Sequence, residues 1–146
     1  MAKIIHSMIR VHDLDRSLQF YKDALGLSTS HRLDFPGFSL VYLRNEENDF
    51  EIELTWNKGR EPAYTHGDGY GHVAVAVANV ESEHERMAGL GINPTAVKEF
   101  KRGDEMLARF FSSRTPTATR SRYWSAQGIT CDAARRRIKR VTDACH

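Results

Sequence analysis

The feature that most constrains this chain is an internal repeat. A short apolar run carrying one histidine near its start appears at residues 3–11 (Lys-Ile-Ile-His-Ser-Met-Ile-Arg-Val) and returns at residues 71–77 (Gly-His-Val-Ala-Val-Ala-Val). Both copies are rich in β-branched residues, the composition of a buried strand. Eight residues after His6, Leu14 opens a helical pattern that closes on Leu25-Gly26-Leu27. Eight residues after His72, Val80 opens a second one that closes on Leu90-Gly91-Ile92. Strand, helix and glycine stop at matching offsets describe one module used twice.

The first copy predicts βαβββ over residues 1–57. Asp13 is suited to cap a helix whose apolar stripe is Leu14, Leu18, Tyr21 and Leu25, and Gly26 to end it in the left-handed conformation. Strands are expected at 27–33, 38–43 and 50–55, separated by turn-forming stretches around Pro36-Gly37 and Asn45–Asp49. Residues 58–70 are polar and rich in Gly and Pro, as in a linker. The second copy, 71–111, predicts a strand at 71–77, a helix at 80–90, a weak strand near 93–98, and another at 106–111 after a turn at 101–104. A fourth strand is then due, but residues 112–122 contain almost no apolar side chain. The expected fold class is α+β, two tandem βαβββ modules with the second incomplete.

Charge marks the same boundary. The formal net charge is +2, yet residues 112–146 hold eight basic residues against Asp132 and Asp143, leaving 13 basic and 17 acidic residues in 1–111. Such a break suggests a basic, poorly ordered tail with a weak helix around 132–141. Cys131 and Cys145 fit no zinc motif, and no apolar run approaches a membrane span. A cytoplasmic protein with reduced thiols is the expectation.

The chemistry sits on the repeat. In Phe50-Glu51-Ile52-Glu53-Leu54-Thr55, alternation puts Glu51 and Glu53 on one face of a strand and Ile52 and Leu54 on the other. A carboxylate among apolar neighbours is costly unless paired with a cation or a metal. His6, His72 and Glu53 together offer the imidazole and carboxylate donors that a divalent transition metal takes. Read alone, a strand histidine is more often a hydrogen-bonded residue of the core than a ligand.

The segments His-Ser-Met-Ile-Arg-Val at 6–11, Asp-Leu-Asp-Arg-Ser-Leu-Gln-Phe-Tyr at 13–21, Ile-Glu-Leu-Thr-Trp-Asn at 52–57 and Tyr-Gly-His-Val-Ala-Val at 70–75 closely resemble glyoxalase I (lactoylglutathione lyase), of the vicinal-oxygen-chelate superfamily. The resemblance spans residues 3–111. It implies that His6, Glu53 and His72 are metal ligands, with Glu53 also catalytic. It further implies that Arg10 and Asn57, with Thr55 a weaker candidate, bind the glutathione part of the substrate. The implied cofactor is one divalent ion per site, Ni2+ or Zn2+, with Co2+ a further option. The implied reaction converts the methylglyoxal–glutathione hemithioacetal to S-lactoylglutathione in a homodimer whose sites lie at the subunit interface.

The match breaks near residue 111. The repeat places a partner of Glu53 near position 119, and the family has a glutamate ligand there. This chain has Thr119, Arg120, Ser121 and Arg122. Residues 114–125 can be back-translated so that a shifted frame reads Asp-Pro-Asp-Gly-Tyr-Lys-Ile-Glu-Val-Leu-Glu, which resembles the terminal strand of glyoxalase I. The glutamate of that reading falls across the codons of Ser121 and Arg122. A one-base slip near codon 111 accounts for such an end, and an impaired site follows from it. Two other readings stand beside the enzyme: a non-catalytic small-molecule-binding protein of the same fold, and a basic arm contacting nucleic acid through Arg135-Arg136-Arg137, which the scarcity of aromatic residues disfavours.

Overall fold

The computed structural model describes residues 1–125. Its elements run β1 (His6–Val11), α1 (Leu14–Leu25), β2 (Ser28–Asp34), β3 (Phe38–Arg44), β4 (Glu51–Asn57), β5 (His72–Val77), α2 (Val80–Gly89), β6 (Lys98–Arg102), β7 (Glu105–Arg114) and β8 (Arg120–Ser125). They form two four-stranded mixed sheets, ordered β1-β4-β3-β2 and β5-β8-β7-β6. The fold is therefore α+β, with a βαβββ unit used twice. The chain divides into two compact units, one built on Met1–Gly69 and the other on Tyr70–Arg114 with the strand that follows Thr119.

In the first unit, Asp13 caps α1, its side chain accepting a hydrogen bond from the Arg16 amide at 2.9 Å. Gly26 ends the helix at φ 63°, where its amide donates to the Lys22 carbonyl. The most deeply buried stripe of α1 is Leu14, Ser17, Tyr21 and Ala24. Leu18 and Leu25, expected at its centre, lie half-buried at its flanks. Ser17 tolerates burial because its hydroxyl donates to the Asp13 carbonyl at 2.7 Å. Strand alternation sends Ile9, Val11, Val41, Leu43, Ile52 and Leu54 into this core. β1 pairs with β4 in parallel, and Met8 lies opposite Glu53.

The second unit repeats the plan with different packing. Asn79 caps α2 by accepting from the Ser82 amide at 2.8 Å. Val80, Met87, Ala108, Phe111 and Tyr123 form the buried centre. The ring of Phe111 stacks on Tyr123 with centroids 4.6 Å apart, and the His84 ring of α2 meets the Phe111 ring edge-on. The strand expected near 93–98 lies instead at Lys98–Arg102. All five of its residues are exposed, so apolar periodicity carried no signal; the hairpin with β7, turning at Gly103 with φ 59°, sets its place.

The fourth strand of the second unit is a correction to the sequence reading. Arg120–Ser125 runs parallel to β5 and antiparallel to β7, so the sheet is complete among the described residues. The reading failed because the side chains that turn into this core are Ser121 and Tyr123 rather than a run of aliphatics. The Tyr123 hydroxyl shares a hydrogen bond of 3.0 Å with Ser113, which satisfies both buried polar groups. The weak helix expected at 132–141 and both cysteines lie outside the described residues. Among the described residues, no helix is long and apolar enough to cross a membrane.

Candidate active site

On the first sheet, the face opposite the apolar core carries a line of polar side chains. Glu53 is buried, at 8% exposure, although it is an acid. Its Oε1 accepts a hydrogen bond from the Thr55 hydroxyl at 3.0 Å, and its Oε2 lies 3.4 Å from Nε2 of His6. Tyr42, opposite Glu53 on β3, completes the cluster. The neighbouring Glu53 carboxylate, by hydrogen bonding, pushes the Tyr42 phenol above its ordinary pKa; burial and the negative charges of Glu53 and Glu51 act in the same direction. The Tyr42 ring stacks on His31 at 4.1 Å between centroids and meets His6 edge-on at 5.8 Å. Glu51 is held separately by the Ser30 hydroxyl.

Arg10 is exposed on β1, in register with Thr55. Asn57 ends β4 and donates to the Tyr64 hydroxyl at 2.7 Å. Arg60 lies over the Tyr64 ring at 4.2 Å, and His12 contacts the Glu61 carbonyl at 2.8 Å. The segment read as a linker is thus tied to the first unit at several points.

His72 lies in the second unit, at the start of β5. The pairing registers of the two sheets superpose in a simple way. His6 faces Glu51 and Met8 faces Glu53; His72 faces Arg120 and Ala74 faces Arg122. Arg122 therefore occupies the place in the second sheet that Glu53 occupies in the first. Its guanidinium lies 4.7 Å from the Phe110 ring and 5.5 Å from that of Trp124. Partial desolvation, followed by the positive charges of Arg122 and Arg120, lowers the His72 pKa below its ordinary value.

The donor chemistry divides accordingly. Two ligands about 2.1 Å from a tetrahedral ion are separated by about 3.4 Å, so the His6–Glu53 pair fits one coordination sphere. On the second sheet His72 is a suitable donor, but Arg122 is a cation with no lone pair to give. Among the described residues, no group of three or more His, Cys, Asp or Glu side chains is assembled for a metal. The pair in the first unit fits a divalent ion; the position of Arg122 does not.

Two members of these faces escaped the sequence reading. Tyr42 was legible from the alternation of Phe38, Leu40 and Tyr42 along β3, which places it beside Glu53. Arg122 escaped as a position of its own: it was one of four residues noted where an acid was sought near 119, and the register singles it out three residues later.

Comparison with known proteins shows the family and the fold. A family model for the Glyoxalase/Bleomycin resistance protein/Dioxygenase superfamily matches residues 3–111. The chain is 41% identical over 98 residues to a lactoylglutathione lyase of Haemophilus influenzae, covering 64% of this chain and 71% of that protein. It is 39% identical over 92 residues to a probable lactoylglutathione lyase of Synechocystis, covering 60% and 70% respectively. Among solved structures, glyoxalase I of Zea mays is similar with a TM-score of 0.74 and 26% identity, over 84% of this chain and 44% of that one. The family match stops at 111, whereas the second sheet is completed at 120–125. With a twice-used βαβββ unit, a histidine on the first strand of each and a buried carboxylate beside the first, the chain belongs to the Glyoxalase/Bleomycin resistance protein/Dioxygenase superfamily.

Proposed function

We propose that this chain is a glyoxalase I, isomerising the hemithioacetal of methylglyoxal and glutathione to S-lactoylglutathione, and that its turnover is limited by Arg122. The observation that carries the reading is the buried Glu53 carboxylate held between the Thr55 hydroxyl and the His6 imidazole, in a chain 41% identical to a lactoylglutathione lyase. His6 and Glu53, with His72 as a further donor, are the residues that would hold a divalent ion (nickel, zinc or cobalt), which would supply Lewis-acid polarisation of the substrate oxygens. Glu53 takes the proton from the hemithioacetal carbon and returns it to the adjacent carbon. The Thr55 hydroxyl holds one carboxylate oxygen of Glu53, so the other stays directed at His6. Tyr42 stands opposite Glu53 on β3, on the side away from β1.

Arg10 and Asn57 bind the glutathione moiety. Arg10 offers an exposed guanidinium in register with Thr55, and Asn57 is oriented by Tyr64. The proposal includes a cytoplasmic homodimer with sites completed across the subunit interface. Isomerase activity measured with added nickel or zinc tests the reading, comparing the chain with Glu53→Gln and Arg122→Glu. Weak activity that Glu53→Gln abolishes and Arg122→Glu raises supports it; activity indifferent to Glu53 overturns it.

The guanidinium of Arg122 at the counterpart of Glu53 favours one second reading, a binding protein of the same fold without catalysis. Under it, metal or glutathione adduct is retained while turnover is absent in every variant.

A further inference from the structure

The second sheet carries a cluster of arginines of which the isomerase reading uses only Arg122. On β5, β7 and β8, pairing puts His72, Ala74 and Ala76, then Arg120, Arg122 and Trp124, then Phe110, Ser112 and Arg114 on one face. None of these is a carboxylate. Arg114 lies directly opposite Arg120, and Arg122 follows two residues along the same strand. Three guanidiniums thus share a patch about two strands wide, with adjacent strands roughly 4.8 Å apart.

Like charges at this spacing repel, and sheet faces normally offset them with acids. Here the only described acids lie off this face, and none of the three arginines makes an ion pair among the described residues. Nε of Arg122 is buried and has no hydrogen-bond partner among the described residues. A buried donor left unmade costs roughly 1–3 kcal/mol, more for a charged group. The Phe110 and Trp124 rings lie 4.7 and 5.5 Å from the carbon of this guanidinium and restrict its motion, and the terminal N–H groups remain as donors. A guanidinium so held is organised for an oxyanion, which it meets with two parallel hydrogen bonds.

We propose that the β5–β8–β7 face is an oxyanion-binding site, in which Arg122 provides the main fork and Arg120 and Arg114 add charge. Its ligand is a small carboxylate or phosphate group. The first sheet, with Glu53 at the corresponding place, is built for a cation. This face shares Arg122 and the neighbouring His72 with the isomerase reading, but anion binding is read without turnover, so the two can fail separately.

Trp124 supplies the readout. The chain has two tryptophans, Trp56 and Trp124, so a Trp56→Phe background isolates the indole beneath Arg122. The full chain is titrated with inorganic phosphate in one arm and acetate in the other, against sodium chloride at matched ionic strength. The expected result is a saturable fluorescence change in the millimolar range with phosphate, acetate or both, identifying the group preferred, and none with chloride. Arg122→Gln is expected to raise the midpoint at least tenfold, and Arg122→Lys to restore only part of the affinity, because charge returns without the fork. If Arg122→Gln does not fold, the exposed Arg120→Gln carries the test, with a several-fold rise in midpoint expected. An equal change with chloride, no saturation with either anion, or a midpoint indifferent to both arginines overturns the proposal.

Discussion

The two sheets share a backbone plan and differ in what they place on it. In the first, the strand pair β1–β4 shows His6, Glu51 and Glu53 on one face and buries Ile52 and Leu54 on the other. In the second, β5–β8 shows His72, Arg120 and Arg122 and buries Ser121 and Tyr123. Register and strand order survive a complete inversion of charge. Strand pairing is made by main-chain groups, which do not depend on the side chain, whereas the face opposite the core imposes only a weak demand on residue type. The inner face is more exacting, and there the two units are not equal. Ile9 and Val11 are buried in the first, while their counterparts Val75 and Val77 are half-buried in the second. The repeat therefore constrains shape more strongly than chemistry.

The largest expected effect breaks the comparison at its chemical centre. Glu53→Gln should reduce isomerase turnover by about 10²–10⁴, the usual loss for a general base. Restoring the symmetry of the two faces through Arg122→Glu creates on the second sheet the imidazole–carboxylate pairing of the first. That variant should raise affinity for added zinc or nickel by at least about tenfold, or roughly 1.4 kcal/mol, measured by metal titration. Unchanged metal affinity would show that the register equivalence has no chemical consequence.

Core substitutions sharpen the same contrast. Phe111→Ala removes a fully buried ring stacked on Tyr123 and should cost about 3–5 kcal/mol in denaturant unfolding. Leu54→Ala, at a fully buried position of the first core, should cost about 2–5 kcal/mol. Phe111→Ala should lose more hydrogen-exchange protection in α2 and β7 than in the first sheet, since each unit has its own core.

Alkaline pH acts on the second unit through Tyr123. Burial raises the Tyr123 phenol to about 12. Because its folded pKa lies above the unfolded value near 10, its contribution is fully present below about pH 10 and is lost as pH rises towards 12. The loss should approach about 2–3 kcal/mol, and Tyr123→Phe should flatten the unfolding free energy across that window.

Smallest of all are the helix caps, where the comparison predicts equality. Asp13 and Asn79 make the same side-chain bond to the amide three residues on. Replacing either with alanine should cost about 1 kcal/mol, checked by thermal unfolding.

Particular residues show how far the sequence could be read. Glu53 was visible because Ile52 and Leu54 flank it with strict alternation, and Asp13 and Gly26 because capping is local chemistry. Asn79, a cap of the same kind, was passed over although the repeat pointed to it. Lys98–Arg102 and Arg120–Ser125 were displaced or unseen because neither carries an aliphatic pattern; each exists because a neighbouring strand supplies its hydrogen bonds. The small Ser121 beneath Val73 and the paired Ser113 and Tyr123 hydroxyls make a buried position out of residues that read as surface.

By itself the sequence determined that a βαβββ unit occurs twice, that each copy opens on a histidine strand, and that the first copy holds a carboxylate in apolar company. Those facts are carried by local periodicity and spacing. Only tertiary structure decided that a polar, arginine-rich stretch becomes the strand beside β5 and that Arg122 stands where the first sheet has Glu53. Pairing across a sheet joins residues distant in the chain, and a register is a relation between two strands that neither one contains.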